Sequence, residues 1–193
     1  MKKVYLLIFS IIVLLFISCN SSEKVDEEEL KAEMENYATE YMVSLKTVLV
    51  ENMKAGGPQL AINVCADTAM TLAKNYSESR NVQVKRFSFK NRNASNVPDV
   101  FEEKALKYFE KLLAEGKLNS ETFILEQEKL GSSKFAKYVR PIFVDSPCLN
   151  CHGSESQILE EVKLVLNEKY PNDKATGFKI GDLRGAISVT KEL

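Results

Sequence analysis

Apolar residues recur at helical spacing through the region that follows an N-terminal apolar run. Within residues 27–53 they form one stripe of three- and four-residue steps, made by Leu30, Met34, Tyr37, Tyr41, Leu45 and Val48. This spacing predicts a long amphipathic helix. Ala55-Gly56-Gly57 should end it, and Pro58 should open a second helix over 58–76. Because apolar residues lie on most sides of the second helix, we expect it to be buried.

Strand-like and helical segments alternate through the rest of the chain. The pattern predicts a strand at 82–90, a helix at 98–115, strands at 122–126 and 135–144, a helix at 156–167 and a strand at 184–189. Gly181-Asp182 forms a turn before the last strand. This order predicts an α+β domain with an antiparallel sheet and long N-terminal helices.

The N-terminal apolar run is too short to be read as part of the fold. Lys2 and Lys3 precede an apolar stretch at 4–17, shorter than the roughly 20 residues of a spanning helix, which is typical of a secretory signal peptide. Residues 16–19, Phe-Ile-Ser-Cys, resemble the bacterial lipobox. We therefore expect a signal peptide at 1–18, a lipid on Cys19, a tether at 19–26 and one domain at 27–193.

An uncleaved anchor helix is the alternative interpretation of this segment. Either interpretation attaches the domain to a membrane, outside the cytoplasm, in the cell envelope or periplasm. Cleavage would leave 24 basic and 27 acidic groups, a formal charge of −3. We expect no nucleic-acid partner, because nucleic-acid binding requires clustered basic charge.

The chain has four cysteines and one histidine, and three of these five residues form one motif. Cys148-Leu149-Asn150-Cys151-His152 is the C-x-x-C-H signature of covalent haem attachment. Two thiols about one helical turn apart can reach the two vinyl groups of a porphyrin, and the histidine that follows can ligate the iron. The motif predicts one covalent haem c.

Other uses of these cysteines are less consistent with the sequence. A zinc site would require the adjacent Cys151 and His152 to reach one small tetrahedral centre, and no second such pair completes it. A thioredoxin-like pair should open a helix within a βαβ unit, which the order of elements does not provide. An accidental disulfide is the remaining alternative.

A second axial ligand would have to come from a cysteine or a methionine, because His152 is the sole histidine. The candidates are Cys65, Met34, Met42, Met53 and Met70. From composition alone Cys65 could equally be a ligand or a buried free thiol. A lone unpaired thiol is unusual in an oxidising compartment.

Three stretches of the chain resemble one family. The first two are residues 61–65, and residues 86–93 with Asn96, Pro98 and Asp99. The third is the C-terminal part, with Arg140-Pro141-Ile142, the haem motif at 148–152, Tyr170-Pro171, Ala175-Thr176-Gly177 and Gly181-Asp182-Leu183-Arg184-Gly185. Together they are similar to a single-haem c-type domain family of uncharacterised function, first described from cyanobacteria and found also as a sensor module of signalling proteins.

The resemblance implies a PAS-like sheet core fronted by N-terminal helices. It also implies iron held by His152 on one side and by the thiolate of Cys65 on the other. Four arginines are candidates for pairing with haem propionates or for structural roles: Arg86, Arg92, Arg140 and Arg184. A guanidinium fork suits a carboxylate.

These observations predict a membrane-anchored single-haem protein that senses redox state or a gas. A low-potential electron-transfer cytochrome with a redox partner protein is the alternative, because thiolate ligation favours ferric iron. We do not expect an enzyme, since no second histidine remains for acid–base chemistry.

Overall fold

Helices cover a four-stranded antiparallel sheet in this computed structural model, which describes residues 26–193. The elements are α1 (Glu27–Arg80), β1 (Gln83–Phe87), α2 (Val100–Ala114), β2 (Ile124–Leu130), β3 (Ser133–Phe143), α3 (Leu149–His152), α4 (Glu160–Lys169) and β4 (Leu183–Glu192). The predicted α+β class, with an antiparallel sheet and long N-terminal helices, is confirmed. The expected signal peptide at 1–18 and Cys19 lie outside the described residues.

The long helix α1 consists of two halves that fold back on each other. Gly56 and Gly57 have non-helical backbone angles, as the predicted break at 55–57 requires. Across the two halves the rings of Tyr41 and Tyr76 lie 5.7 Å apart, and the Tyr76 hydroxyl donates to Glu40 at 2.9 Å. The break predicted from the glycine pair and Pro58 is therefore confirmed.

The second half of α1 differs from the prediction in length and burial. It extends to Arg80, four residues beyond the predicted end at 76. Ala61 and Ile62 are buried, but Leu60 and Met70 are 38% and 49% exposed. The expectation of a helix buried on most sides was therefore wrong. Over the range 26–193, no helix has the length and apolar character needed to cross a membrane.

The sheet has the strand order β1-β4-β3-β2 and presents two distinct faces. Arg86 of β1, Ile187 of β4 and Arg140 of β3 are cross-strand partners, so their side chains share one face. Arg140 donates to Thr39 of α1 at 3.0 Å, so this face lies towards α1. Arg86 and Arg140 are two strand spacings apart, about 10 Å.

The opposite face of the sheet packs against α2. Phe109 of α2 is fully buried in an apolar cluster with Phe87, Val139 and Ala186 of the strands. Asp99 caps the helix and forms a reciprocal capping box with Glu102, so the helix begins at Val100, two residues after the predicted start at Pro98.

The remaining boundaries shift by a few residues. Strand β1 ends at Phe87 instead of 90, β2 is Ile124–Leu130 instead of 122–126, and β4 extends to Glu192 instead of 189. Helix α4 begins at Glu160 instead of 156, because a turn joins Ser154 and Gln157 first: the Ser154 backbone amide donates to Oε1 of Gln157 at 2.8 Å. None of these shifts moves the cysteine–histidine motif.

Candidate functional site

The cysteine–histidine motif lies on a short helical segment that begins after β3. Asp145 caps it by accepting from the backbone amide of Ser146 at 2.7 Å, and Pro147 occupies the first turn. Cys148 ends this 3-10 turn, and α3 continues directly through Cys151 to His152. Both thiols are free and half-buried. The local sequence therefore presents two thiols one helical turn apart, as the spacing predicts.

The imidazole of His152 is held from one side by backbone groups of the segment 173–178. Its Nδ1 lies 2.6 Å from the carbonyl oxygen of Ala175. A carbonyl only accepts, so Nδ1 carries the hydrogen and Nε2 keeps its lone pair. The amide of Phe178 donates to the His152 carbonyl at 2.9 Å, and the Phe178 ring meets the imidazole edge-on. Nε2 is thus left available as a ligand.

The histidine is neutral at physiological pH. Burial lowers the pKa of His152 well below its usual value, and the positive charges of Arg92 and Arg184 lower it further. The Ala175 carbonyl, which favours the protonated ring, opposes these effects only in part. A neutral imidazole is the form that ligates metals.

Arg92 connects three separate parts of the site. Its Nε donates to Asp173 at 2.9 Å, and its Nη2 donates to the carbonyls of Cys151 and Ala175. Asp173 in turn accepts from the amide of Ala175 at 2.7 Å. From the sequence, Arg92 was a candidate for propionate pairing or for a structural role. Asp173 was missed, because its sole signal was its place between the family-like segments 170–171 and 175–177.

Cys65 lies on the second half of α1, on the side that faces the motif. Ile62, about one turn before it, belongs to an apolar cluster with α4 against which Cys151 packs. Burial raises the pKa of the Cys65 thiol, and the guanidinium of Arg86 opposes this rise. Burial raises the pKa of Cys151 and of Tyr170, and a negative charge on Cys65 would raise both further. The structure therefore brings Cys65, Arg86 and the motif into one neighbourhood.

Positive charge is concentrated around the motif. Burial, and then repulsion from Arg92 and Arg86, lowers the pKa of Arg184 to about 10. The Arg184 guanidinium lies over the Phe178 ring at 5.3 Å and donates to the Lys90 carbonyl at 3.0 Å. Within residues 26–193, neither Arg86 nor Arg184 has a carboxylate at ion-pair distance. The cluster is therefore suited to an acidic ligand.

The other candidates are bonded elsewhere, buried in the core or partly exposed. Arg140 shares the sheet face of Arg86 but bonds to Thr39 of α1. Met34 is fully buried in the core, and Met70 is half exposed on α1.

The available donors suit an iron porphyrin better than a bare metal ion. No group of three or more histidine, cysteine, aspartate or glutamate side chains forms a metal site in the part of the chain that the structure describes. A porphyrin already supplies four nitrogen ligands, so His152, with Cys65 as the predicted second donor, could complete the set. The two motif thiols and the arginine cluster would hold its periphery.

Comparison with known proteins gives the same family as the motifs. The model of the Tll0287-like family matches residues 22–191. The solved structure of the cyanobacterial heme-protein Tll0287 is similar, with 28% sequence identity, 86% of this chain and 95% of that chain covered, and a TM-score of 0.59. No curated protein sequence is significantly similar. Because the family model spans nearly the whole chain, this chain belongs to the Tll0287-like family.

Proposed function

We propose that the chain is a lipid-anchored, single-haem c-type protein of the bacterial cell envelope that senses redox state or a small gas. The observation that carries the proposal is the geometry of His152, whose Nδ1 is fixed on Ala175 and whose Nε2 is free beside two free thiols. The similar solved structure, described as a cyanobacterial heme-protein, supports haem as the ligand.

Six residues would hold the cofactor. Cys148 and Cys151 would attach it through thioether links, and His152 and Cys65 would ligate the iron. Arg86 and Arg184 would donate hydrogen bonds to its propionates, because both guanidinium groups face the site without an acidic partner among the described residues. When bound, an iron porphyrin supplies one-electron redox chemistry and a position for a small gaseous ligand.

Cys65 would be the second ligand of the iron, and the one that is released when the redox state changes or a gas binds. Arg86 favours its thiolate form, while burial favours the neutral thiol. Burial is the larger influence, so a Cys65 released from iron would favour the neutral thiol, which is the weaker donor.

The position of Cys65 in α1 would convert ligand loss into movement. Cys65 follows the non-helical Gly56 and Gly57, and its half of α1 is attached to α4 through Ile62 and through an ion pair between Asp67 and Lys169 at 2.7 Å. This ion pair is exposed to solvent and contributes little to stability. Release of Cys65 would remove one contact between this half-helix and the site, and a shift of the half-helix about the glycine pair would be the signal.

Holoprotein from a cell that matures cytochromes c tests the cofactor. Intact mass should increase by one haem in the wild type and by none after Cys148→Ala together with Cys151→Ala. A wild type without any adduct would refute the proposed function. The same spectrum reports the N-terminus: we expect an acylated Cys19, and a loss of acylation with Cys19→Ala.

Optical spectra of wild type and Cys65→Met test the second ligand. We expect the ferric spectra to differ, and the ferrous wild type to bind carbon monoxide after Cys65 is released. Met70→Leu, five residues further along the same half-helix, is the matched control and should leave both spectra unchanged. A reversible potential without any ligand exchange would instead indicate an electron carrier that passes electrons to a partner protein.

A further inference from the structure

Arg92 differs from Arg86 and Arg184 because, among the described residues, it alone of the three pairs with a carboxylate. Its side chain is 9% exposed, and its partner Asp173 is 12% exposed. The guanidinium binds a carboxylate through Nε and two carbonyls through Nη2, in one plane, which a lysine ammonium would not reproduce. Arg92 is therefore already engaged without a propionate.

The two carbonyls that Arg92 binds determine where His152 sits. One belongs to Cys151, immediately before the histidine, and the other belongs to Ala175, which accepts the hydrogen of His152 Nδ1. Arg92 therefore sets the separation between the histidine backbone and the acceptor of its ring. Asp173 completes the frame, since it binds both Arg92 and the amide of Ala175.

Backbone bonds around this frame hold the chain segments but not the ring. The amides of Gly177 and Phe178 bond to the carbonyls of Gly153 and His152 at 2.7 and 2.9 Å, and the Lys174 amide bonds to the Asn91 carbonyl at 3.1 Å. These bonds align segment 173–178 with the motif. Among residues 26–193, only the Arg92 side chain joins the loop after β1, the motif and the Ala175 carbonyl through one rigid group.

We propose that Arg92, anchored by Asp173, is a positioning residue that holds the His152 ring in the Nδ1–H tautomer, with Nε2 directed to the iron. This inference rests on the proposed function, because the role is to present an axial ligand. Groups that bond the far nitrogen of a ligating histidine, and groups that fix their position, commonly control its orientation and donor strength.

The sole histidine makes the test unambiguous. In holoprotein labelled with ¹⁵N-histidine, every histidine signal belongs to His152, and the exchange rate of its Nδ1 hydrogen reports how tightly Ala175 holds it. We expect Arg92→Lys and Asp173→Asn each to speed exchange about tenfold, as loss of one hydrogen bond would. Arg80→Lys, which alters a surface pair with Glu40 at 2.9 Å, should leave the rate unchanged.

A purely structural role would give a different result. Phe109→Leu, on the opposite face of the sheet, should lower thermal stability without changing the exchange rate in the folded protein. If Arg92→Lys and Asp173→Asn behave like Phe109→Leu, the positioning role is wrong. If the wild type carries no haem, the proposed function fails; slow Nδ1 exchange in that haem-free protein, accelerated by Arg92→Lys, would still support the positioning role.

Discussion

The hinge of α1 depends on one backbone conformation that only glycine adopts readily. Gly57 has φ +72° and ψ −168°, in a region that is essentially restricted to glycine. A Cβ placed there would meet no atom within 4 Å. The cost of Gly57→Ala is therefore backbone strain alone, without a steric clash.

The expected change in the free energy of unfolding of Gly57→Ala follows from this strain and one offsetting effect. Forcing alanine into such a region costs about 1–3 kcal/mol. Alanine also reduces the entropy of the unfolded chain, which returns about 0.4–1 kcal/mol. Relaxation into a helix is blocked, because Pro58 disfavours the helical region for the residue before it. We expect a net loss of about 1–2 kcal/mol, or roughly 2–8 °C in Tm for a domain of this size.

Urea unfolding of holoprotein, followed by circular dichroism, measures the loss, and the optical spectrum of the same samples reports on Cys65. Because any relief of this strain would move the half-helix that carries Cys65, we expect both the stability and the ferric spectrum to change. Gly116→Ala is the matched control. Gly116 also has a positive φ of +66° and an open Cβ position, but it follows α2 on the far side of the sheet.

The two variants separate the hinge from general strain. Gly116→Ala should lower stability by about 1–2 kcal/mol with an unchanged spectrum. If Gly57→Ala is as stable as the wild type and has the same spectrum, the kink is not a fixed element, and the coupling of Cys65 to a hinge is refuted.

Two other regions give independent predictions. Changing Glu102 to Ala should cost about 3 kcal/mol, because the buried Ser188 hydroxyl loses its acceptor and Lys85, which is partly exposed, loses its carboxylate partner. Changing the exposed Glu103 to Ala should cost less than about 1 kcal/mol, and equal urea midpoints for the two variants would contradict this. Burial raises the pKa of Tyr138 to about 12, so its contribution to stability is complete below the unfolded pKa of about 10 and is lost as the pH rises to 12. The free energy of unfolding of Tyr138→Phe should therefore fall less than that of the wild type between pH 9 and 11. Equal falls in the two proteins would contradict the raised pKa of Tyr138.

The fold class and the helical break could be predicted because their causes are local. The apolar stripe of the first helix and the sequence Gly56-Gly57-Pro58 act within a few residues, and the structure places the kink there. Burial of the second half of α1 was overestimated for a physical reason. An apolar composition does not say how much covering surface the rest of the chain supplies, and Leu60 and Met70 remain partly exposed.

The site could be predicted only as far as its residues carry their own chemistry. The spacing of Cys148, Cys151 and His152 is enough to predict a haem-attachment motif. The family suggested by the motifs is confirmed. Asp173 has no such signature, because its sequence context does not distinguish it from an acidic residue that is exposed to solvent in a loop. Its role becomes visible only when the fold brings it to Arg92, 81 residues earlier in the chain.

The frame around His152 also explains why a motif of five residues needs a whole domain. Helix α3 is only four residues long, and isolated helices of that length are unstable in water. Its orientation is therefore supplied from outside, by segment 173–178 through Ala175 and by the loop after β1 through Arg92. Cys65 approaches from a third element, the second half of α1. The two proposed ligands thus come from different parts of the fold, so in the proposed function a change at the iron would alter the packing between them.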